Sequence, residues 1–225
     1  MKKNLLVLLL AVMLLALLGC AQEPTVTMFN DHVIAMWAQT LEPYAVDIAF
    51  LGDSRVALAN WQEAYPDREV VNLGIGGDII EGNIQRLPLL EALDVTHCFL
   101  AIGINNCNRD NFSAASFRTQ YDILLSELEE LGITVYVNTA AGLTTENSTL
   151  NATLVNKINA NMLVANGIIR DLADDHDMEL IDMAALMNND DGTLKTEYSS
   201  DGIHFSAAGN QLWFDTLRSL VNAIP

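Results

Sequence analysis

Five positions along this chain carry residue types that acyl-transfer chemistry requires. Ser54 stands in "FLGDSR", where an apolar run stops at a glycine, an aspartate and a serine. A serine hydroxyl is a poor nucleophile until a base, an orienting group and an oxyanion site surround it. Asp201 precedes His204 by three residues in "SSDGIHFS". A tight turn there lets the carboxylate orient the imidazole, or lets both groups reach one site. Gly77, in "NLGIGGD", can bring a backbone N–H close to a substrate because no Cβ obstructs the approach. Asn105, in "GINN", offers a side-chain NH2. Singly, each has a plainer reading: Ser54 as a helix N-cap, Asp201 as a turn former, His204 as a surface histidine.

These positions need elements to hold them. Apolar, strand-like runs at 45–52, 69–75, 96–103, 134–140 and 178–184 alternate with amphipathic stretches. A helix is expected over 55–64, ended by Pro66, and another over 78–87, where Asp78 and Glu81 have the spacing of a capping box. Phe117, Tyr121, Leu124, Leu125, Leu128 and Leu131 form one stripe at helical spacing, and Val155, Ile158, Met162, Ile169 and Leu172 form a second. A last helix starts near Ser206, and a first one is expected from Met28 to Leu41. Near-continuous apolar strands separated by amphipathic helices predict an α/β fold, a three-layer α/β/α sandwich on a five-stranded parallel sheet. In such sheets function collects at the carboxyl ends of the strands, which is where Ser54, Gly77 and Asn105 fall.

Taken together, the four blocks resemble the SGNH hydrolases, also called the GDSL esterase/lipase family. The family's elements are a serine in G-D-S, a glycine in the second block, an asparagine in G-x-N and a histidine in D-x-x-H. The resemblance runs from Asp47 to about Trp213, with the blocks in the family's order. It implies a flavodoxin-like fold and a serine esterase that needs neither cofactor nor metal. It implies Ser54 as nucleophile, His204 as general base and then acid, and Asp201 as the group orienting His204. The implied oxyanion hole is the N–H groups of Ser54 and Gly77 with the side chain of Asn105. The second and third blocks are most similar to the platelet-activating-factor acetylhydrolase-like and sugar-esterase branches. Many members carry G-x-N-D, whereas here Asn106 follows Asn105, a departure that bears on what supports Asn105. Asp53 is expected to bond loop amides behind the nucleophile, and Arg55 to be a solvated residue of the helix's first turn. His32, His97 and His176 belong to no motif.

The substrate expected is a small-molecule or glycan ester with a short acyl group, such as an acetylated sugar or envelope glycan. Hydrolysis of a lysophospholipid or thioester, and a surface lipoprotein whose pocket only binds, are the rival readings.

Residues 1–19 read as a lipoprotein signal: two lysines, an apolar run from Leu5 to Leu18, then Gly19-Cys20. That run is shorter than the roughly 20 residues a membrane-spanning helix needs. The ending "LLGC" resembles the bacterial lipobox, which implies lipidation at Cys20 and membrane attachment on the extracytoplasmic side of the cell envelope. Residues 20–27 then form the tether and 28–225 a single hydrolase domain. Without Lys2 and Lys3, nine basic residues face twenty-nine acidic ones, a formal charge of −20. Such a field disfavours nucleic acid and anionic lipid surfaces, so attachment would rest on the acyl chains. Cys98 and Cys107 are expected as free thiols, since an extended stretch between them holds their Cα atoms apart. "NNDDGTLKTE" fails as an EF-hand loop, because aligning Gly192 with the invariant glycine puts Met187 and Tyr198 at the terminal ligand positions.

Overall fold

The computed structural model of the chain describes residues 46–225. The expected leader, Cys20, the tether, the helix over 28–41 and His32 lie outside the described residues. β1 (Ile48–Gly52) leads into α1 (Ser54–Leu58) and α2 (Trp61–Ala64), and β2 (Val70–Gly74) into α3 (Ile80–Gln85) and α4 (Leu87–Ala92). β3 (His97–Ala101) is followed by α5 (Ile104–Asn108) and α6 (Ala114–Glu130), and β4 (Thr134–Asn138) by α7 (Ala152–Asp175). β5 (Glu179–Ile181) precedes α8 (Met183–Met187), a 3-10 turn at Thr196–Tyr198 and α9 (Ala207–Ala223).

The five strands are parallel and lie in the order β2-β1-β3-β4-β5. This is the flavodoxin-like order, whose direction of winding switches between β1 and β3 and opens a crevice at their carboxyl ends. The sheet is covered on both faces, so its strands alternate between two cores. Ala49, Leu51, Cys98 and Leu100 face the stripes of α6 and α7, while Ile48, Phe50 and Phe99 face α1, α2 and α9. On that second face Phe50 stacks on Trp61 at 3.8 Å between centroids, and Trp213 of α9 meets Trp61 edge-on at 4.8 Å.

The expected helix over 55–64 is two pieces, and a strand residue explains the break. Asn72 of β2 donates its side-chain amide to the carbonyls of Val56, Ala57 and Ala59 at 3.0, 3.2 and 3.2 Å. Asn72 thus supplies a donor to carbonyls where α1 ends, beside the Ala59 N–H and the Trp61 indole N–H that Val56 also accepts. Gly74 lets α1 lie directly on β2, since a Cβ at that position would stand 2.3 Å from the Ala57 nitrogen. The expected Asp78–Glu81 capping box does not form. Ile79 is the N-cap of α3, and it makes no side-chain cap bond. The Asp78 carboxylate instead pairs with the buried Arg86 guanidinium and accepts from Asn83 at 2.8 Å. A buried cation needs a counter-charge, and the start of α3 has another partner in Asn106, which accepts the Ile80 N–H at 3.2 Å.

Candidate active site

The turn after β1 settles what Ser54 is not. Asp53 is the N-cap of α1 and accepts the Arg55 N–H at 2.9 Å. Ser54 is therefore the first helical residue, and its hydroxyl is left to meet His204 Nε2 at 3.0 Å. The other ring nitrogen, Nδ1, lies 2.7 Å from Asp201 Oδ2. Asp201 Oδ1 accepts the N–H groups of Ile203 and His204 at 2.8 and 2.7 Å. Burial raises the Asp201 pKa, but the hydrogen bonds from the His204 ring and from these two amides outweigh it and hold it at about 2. Asp201 is thus a carboxylate, Nδ1 carries the proton it donates, and Nε2 is free to accept from Ser54.

Ser199 pins this turn, a role with no motif behind it. Its buried hydroxyl donates to the His204 carbonyl at 2.7 Å and accepts the Gly202 N–H at 2.9 Å. Its one sequence signal is a serine two residues before the aspartate, the kind of residue that folds a local turn.

The loop after β2 is hung on the neighbouring strand ends. Ile75 donates its N–H to the Gly52 carbonyl at 3.1 Å, and Asn105 Nδ2 donates to the Asp78 carbonyl at 2.8 Å. Gly77 has φ +76°, the left-handed region, and open space where a Cβ would be. Among the described residues neither its N–H nor that of Ser54 donates to a backbone acceptor. Asn106 accepts the Ile80 N–H at 3.2 Å and donates to Glu81 at 3.4 Å, so it braces the starts of α3 and α5 against each other.

Arg55 departs from expectation: it is buried, not solvated. Its guanidinium donates to the carbonyls of Ile203, Ala141 and Gly142 at 2.9, 2.6 and 2.8 Å and lies over the Phe205 ring. Burial lowers its pKa to about 10, with Asp53 and Asp201 opposing, so it is charged at neutral pH. Burial also pushes the Asp53 carboxyl up to about 6 against the pull of Arg55. A cavity of about 20 Å³ beside Asp53, Arg55, Thr139 and Trp213 has room for one water.

The remaining candidates lie apart from this site. Cys98 and Cys107 are buried free thiols. His97 opens β3, at the opposite end of the strand from Asn105, and pairs with Thr96 Oγ1 at 2.8 Å. His176 sits between Asp122 and Glu129 on α6. Residues 188–194 close as a small antiparallel turn in which Asp191 accepts from Thr193. No cluster of three or more metal-ligating side chains occurs among the described residues.

What this arrangement can do is pass a proton from a serine hydroxyl to an imidazole whose far side faces a carboxylate, beside unengaged amide donors. The profile of the GDSL-like Lipase/Acylhydrolase family matches residues 44–212, three-quarters of the chain. No curated protein matches it. Among solved structures, a candidate platelet activating factor from Streptococcus pneumonia is 20% identical with a TM-score of 0.71, covering 94% of this chain and 98% of its own. A candidate acylhydrolase from Bacteroides fragilis is 15% identical with a TM-score of 0.70, over 87% of this chain and 97% of its own. A variant of an acetyl xylan esterase from Geobacillus stearothermophilus is 19% identical with a TM-score of 0.62, over 79% of this chain and 95% of its own. At these identities the likeness is one of fold, whereas the profile reaches from the strand before Ser54 past His204 to the last helix. The chain belongs to the GDSL-like Lipase/Acylhydrolase family and is an enzyme of the esterase/acylhydrolase class.

Proposed function

We propose that Ser54, His204 and Asp201 are a catalytic triad that hydrolyses short-acyl carboxylic esters, with acetylated sugars or envelope glycans as substrates. The observation that carries the reading is the position of His204, 3.0 Å from Ser54 Oγ on one side and 2.7 Å from Asp201 on the other. Ser54 Oγ attacks the ester carbonyl carbon as Nε2 takes the hydroxyl proton. The carbonyl oxygen becomes an oxyanion, received by the N–H groups of Ser54 and Gly77 and by Asn105 Nδ2. Asp201 stabilises the imidazolium and stays ionised. His204 then returns the proton to the departing alcohol, leaving an acyl-serine. Water, deprotonated by the same imidazole, attacks the acyl-serine, and collapse of the second tetrahedral intermediate releases the acid and restores Ser54.

The acetyl preference is supported by acetyl xylan esterases among the similar folds. The test is a series of nitrophenyl esters of increasing acyl length, run with Ser54→Ala and a fluorophosphonate probe. Wild type should be labelled and fastest on acetate, and Ser54→Ala should be neither labelled nor active. A maximum at octanoyl or longer, or faster turnover of a lysophospholipid, would replace the sugar-ester reading with a lipid one. Absent labelling of folded protein would leave a binding lipoprotein.

The same reading places the enzyme on a membrane through lipid at Cys20, the residue that ends the apolar leader. A diacylglyceryl group supplies the two chains that stable anchoring takes, and the acidic domain offers no basic patch of its own. A chain starting at Ala21 behind an ordinary cleavable signal should be soluble and active. Pelleting of that chain with membranes would refute the anchor.

A further inference from the structure

We propose that Arg55 is a positioning residue: a buried guanidinium strut that holds the His204 loop at its working distance from Ser54. The inference rests on the triad reading above and adds a residue to it.

Arg55 directly follows Ser54, so its backbone moves with the nucleophile. Its three hydrogen bonds leave α1 altogether. Nε reaches the carbonyl of Ile203, the residue before His204, at 2.9 Å. Nη1 and Nη2 reach Ala141 and Gly142, in the loop between β4 and α7, at 2.6 and 2.8 Å. The Phe205 ring, on the other side of His204, lies 4.7 Å from the guanidinium carbon. The residues flanking His204 on both sides therefore touch one cation. The same two loops are joined a second time where Thr144 donates its N–H to the Gly202 carbonyl at 3.0 Å.

A buried cation is costly unless its surroundings compensate it. Here three carbonyls converge on it, and Asp53 and Asp201 oppose its loss of charge. An apolar side chain could fill this volume at lower cost, but it could not couple the height of the histidine loop to the start of α1. The planar fork of arginine fits carbonyls from two separate loops, whereas a lysine ammonium is a single point. Ser54 and His204 are 150 residues apart in the chain, and α1 is only five residues long. Their hydrogen bond needs a tether of this kind, because proton transfer is sensitive to displacements well below 1 Å.

Arg55→Met and Arg55→Lys test the strut, with Ser54→Ala assayed beside them. Arg55→Met should lower kcat by about 10²-fold with KM nearly unchanged, the loss that misplacement of a catalytic group produces. Fluorophosphonate labelling should slow in parallel, and the far-downfield proton resonance of the His204–Asp201 hydrogen bond should broaden or shift. Arg55→Lys keeps the charge and should recover part of the rate, to within about tenfold of wild type, while one ammonium still cannot span both loops. If Arg55→Met does not fold, Arg55→Lys carries the test by itself. A wild-type kcat in Arg55→Lys, or an unshifted downfield proton in a folded variant with reduced kcat, overturns the proposal. A lower melting temperature with wild-type kcat measured well below it also overturns it, because the role is then only structural. An active Ser54→Ala would instead overturn the triad reading itself, which an Arg55 result cannot do.

Discussion

Replacing Asn105 by alanine tests one of the three proposed oxyanion donors. Asn105 Nδ2 spends one hydrogen on the Asp78 carbonyl at 2.8 Å, which leaves its second hydrogen for an oxyanion. Alanine removes both. The loop that carries Gly77 should nevertheless stay in place, because Ile75 is tied to Gly52 and Asp78 is held by Arg86 and Asn83. The loss is then that of one donor out of three, about 10²–10³ in kcat or roughly 3–4 kcal/mol of barrier. KM should change little, because the donor acts on charge that develops only in the transition state. Asn105→Asp should do at least as much harm, since it sets a carboxylate oxygen against both the Asp78 carbonyl and the developing oxyanion. Steady-state kinetics on nitrophenyl acetate, with a melting curve for each variant, measures all of this. A kcat loss below tenfold, or a rise in KM alone, would refute the reasoning and assign Asn105 to ground-state binding.

Three further substitutions probe other parts of the argument. Asp201→Asn keeps an acceptor for the Ile203 and His204 amides but no longer enforces the tautomer, so kcat should fall by up to about 10⁴ while the fold melts normally; a loss under tenfold would remove Asp201 from the relay. Gly74→Ala places a Cβ 2.3 Å from the Ala57 nitrogen and 2.7 Å from the Val56 carbonyl carbon, so α1 must shift. It should cost roughly 1–3 kcal/mol in urea unfolding and lower kcat as well, and an unchanged kcat would show that this contact does not set the position of Ser54. His176 faces Asp122 at 2.8 Å and Glu129 at 3.0 Å, and both nitrogens can donate only when the ring is protonated. Burial lowers its pKa, but the hydrogen bonds its ring donates to the two carboxylates, with their charge, outweigh it and raise the pKa above its ordinary value. The clamp therefore stabilises fully below the unfolded value and is lost as pH rises through the folded one. The stability gap between wild type and His176→Gln should close on going from about pH 6 to pH 9, and a constant gap in urea titrations would contradict the assignment.

The parts of this protein that were legible in its sequence share a physical property: their partners are generic. Ile48–Gly52 needs only apolar neighbours on both faces, so an unbroken apolar run announces it. The stripes of α6 and α7 need only a sheet to lie on, and a period of 3.6 announces them. Ser54 and Asp201, which their motifs single out, each lie within hydrogen-bonding distance of the His204 ring, and Asn105 reaches the loop that carries Gly77. Their catalytic roles are what the proposed function assigns to them. What failed were polar residues whose partners are specific and distant. Asn72 ends α1 from the next strand, Asp78 answers Arg86 instead of capping α3, and Arg55 finds its three carbonyls in two remote loops. A sequence window prices an arginine as exposed because burying its charge alone would be prohibitive. Only the assembled fold supplies the convergent carbonyls that reverse that sign. The residues misread or left unread are thus not scattered. Asn72 fixes where α1 stops, Asp78 holds the loop that carries Gly77, and Arg55 joins α1 to the histidine loop. Each stands one contact behind a residue that could be read, because a motif records the reacting groups and any fold that orients them must find its own supports.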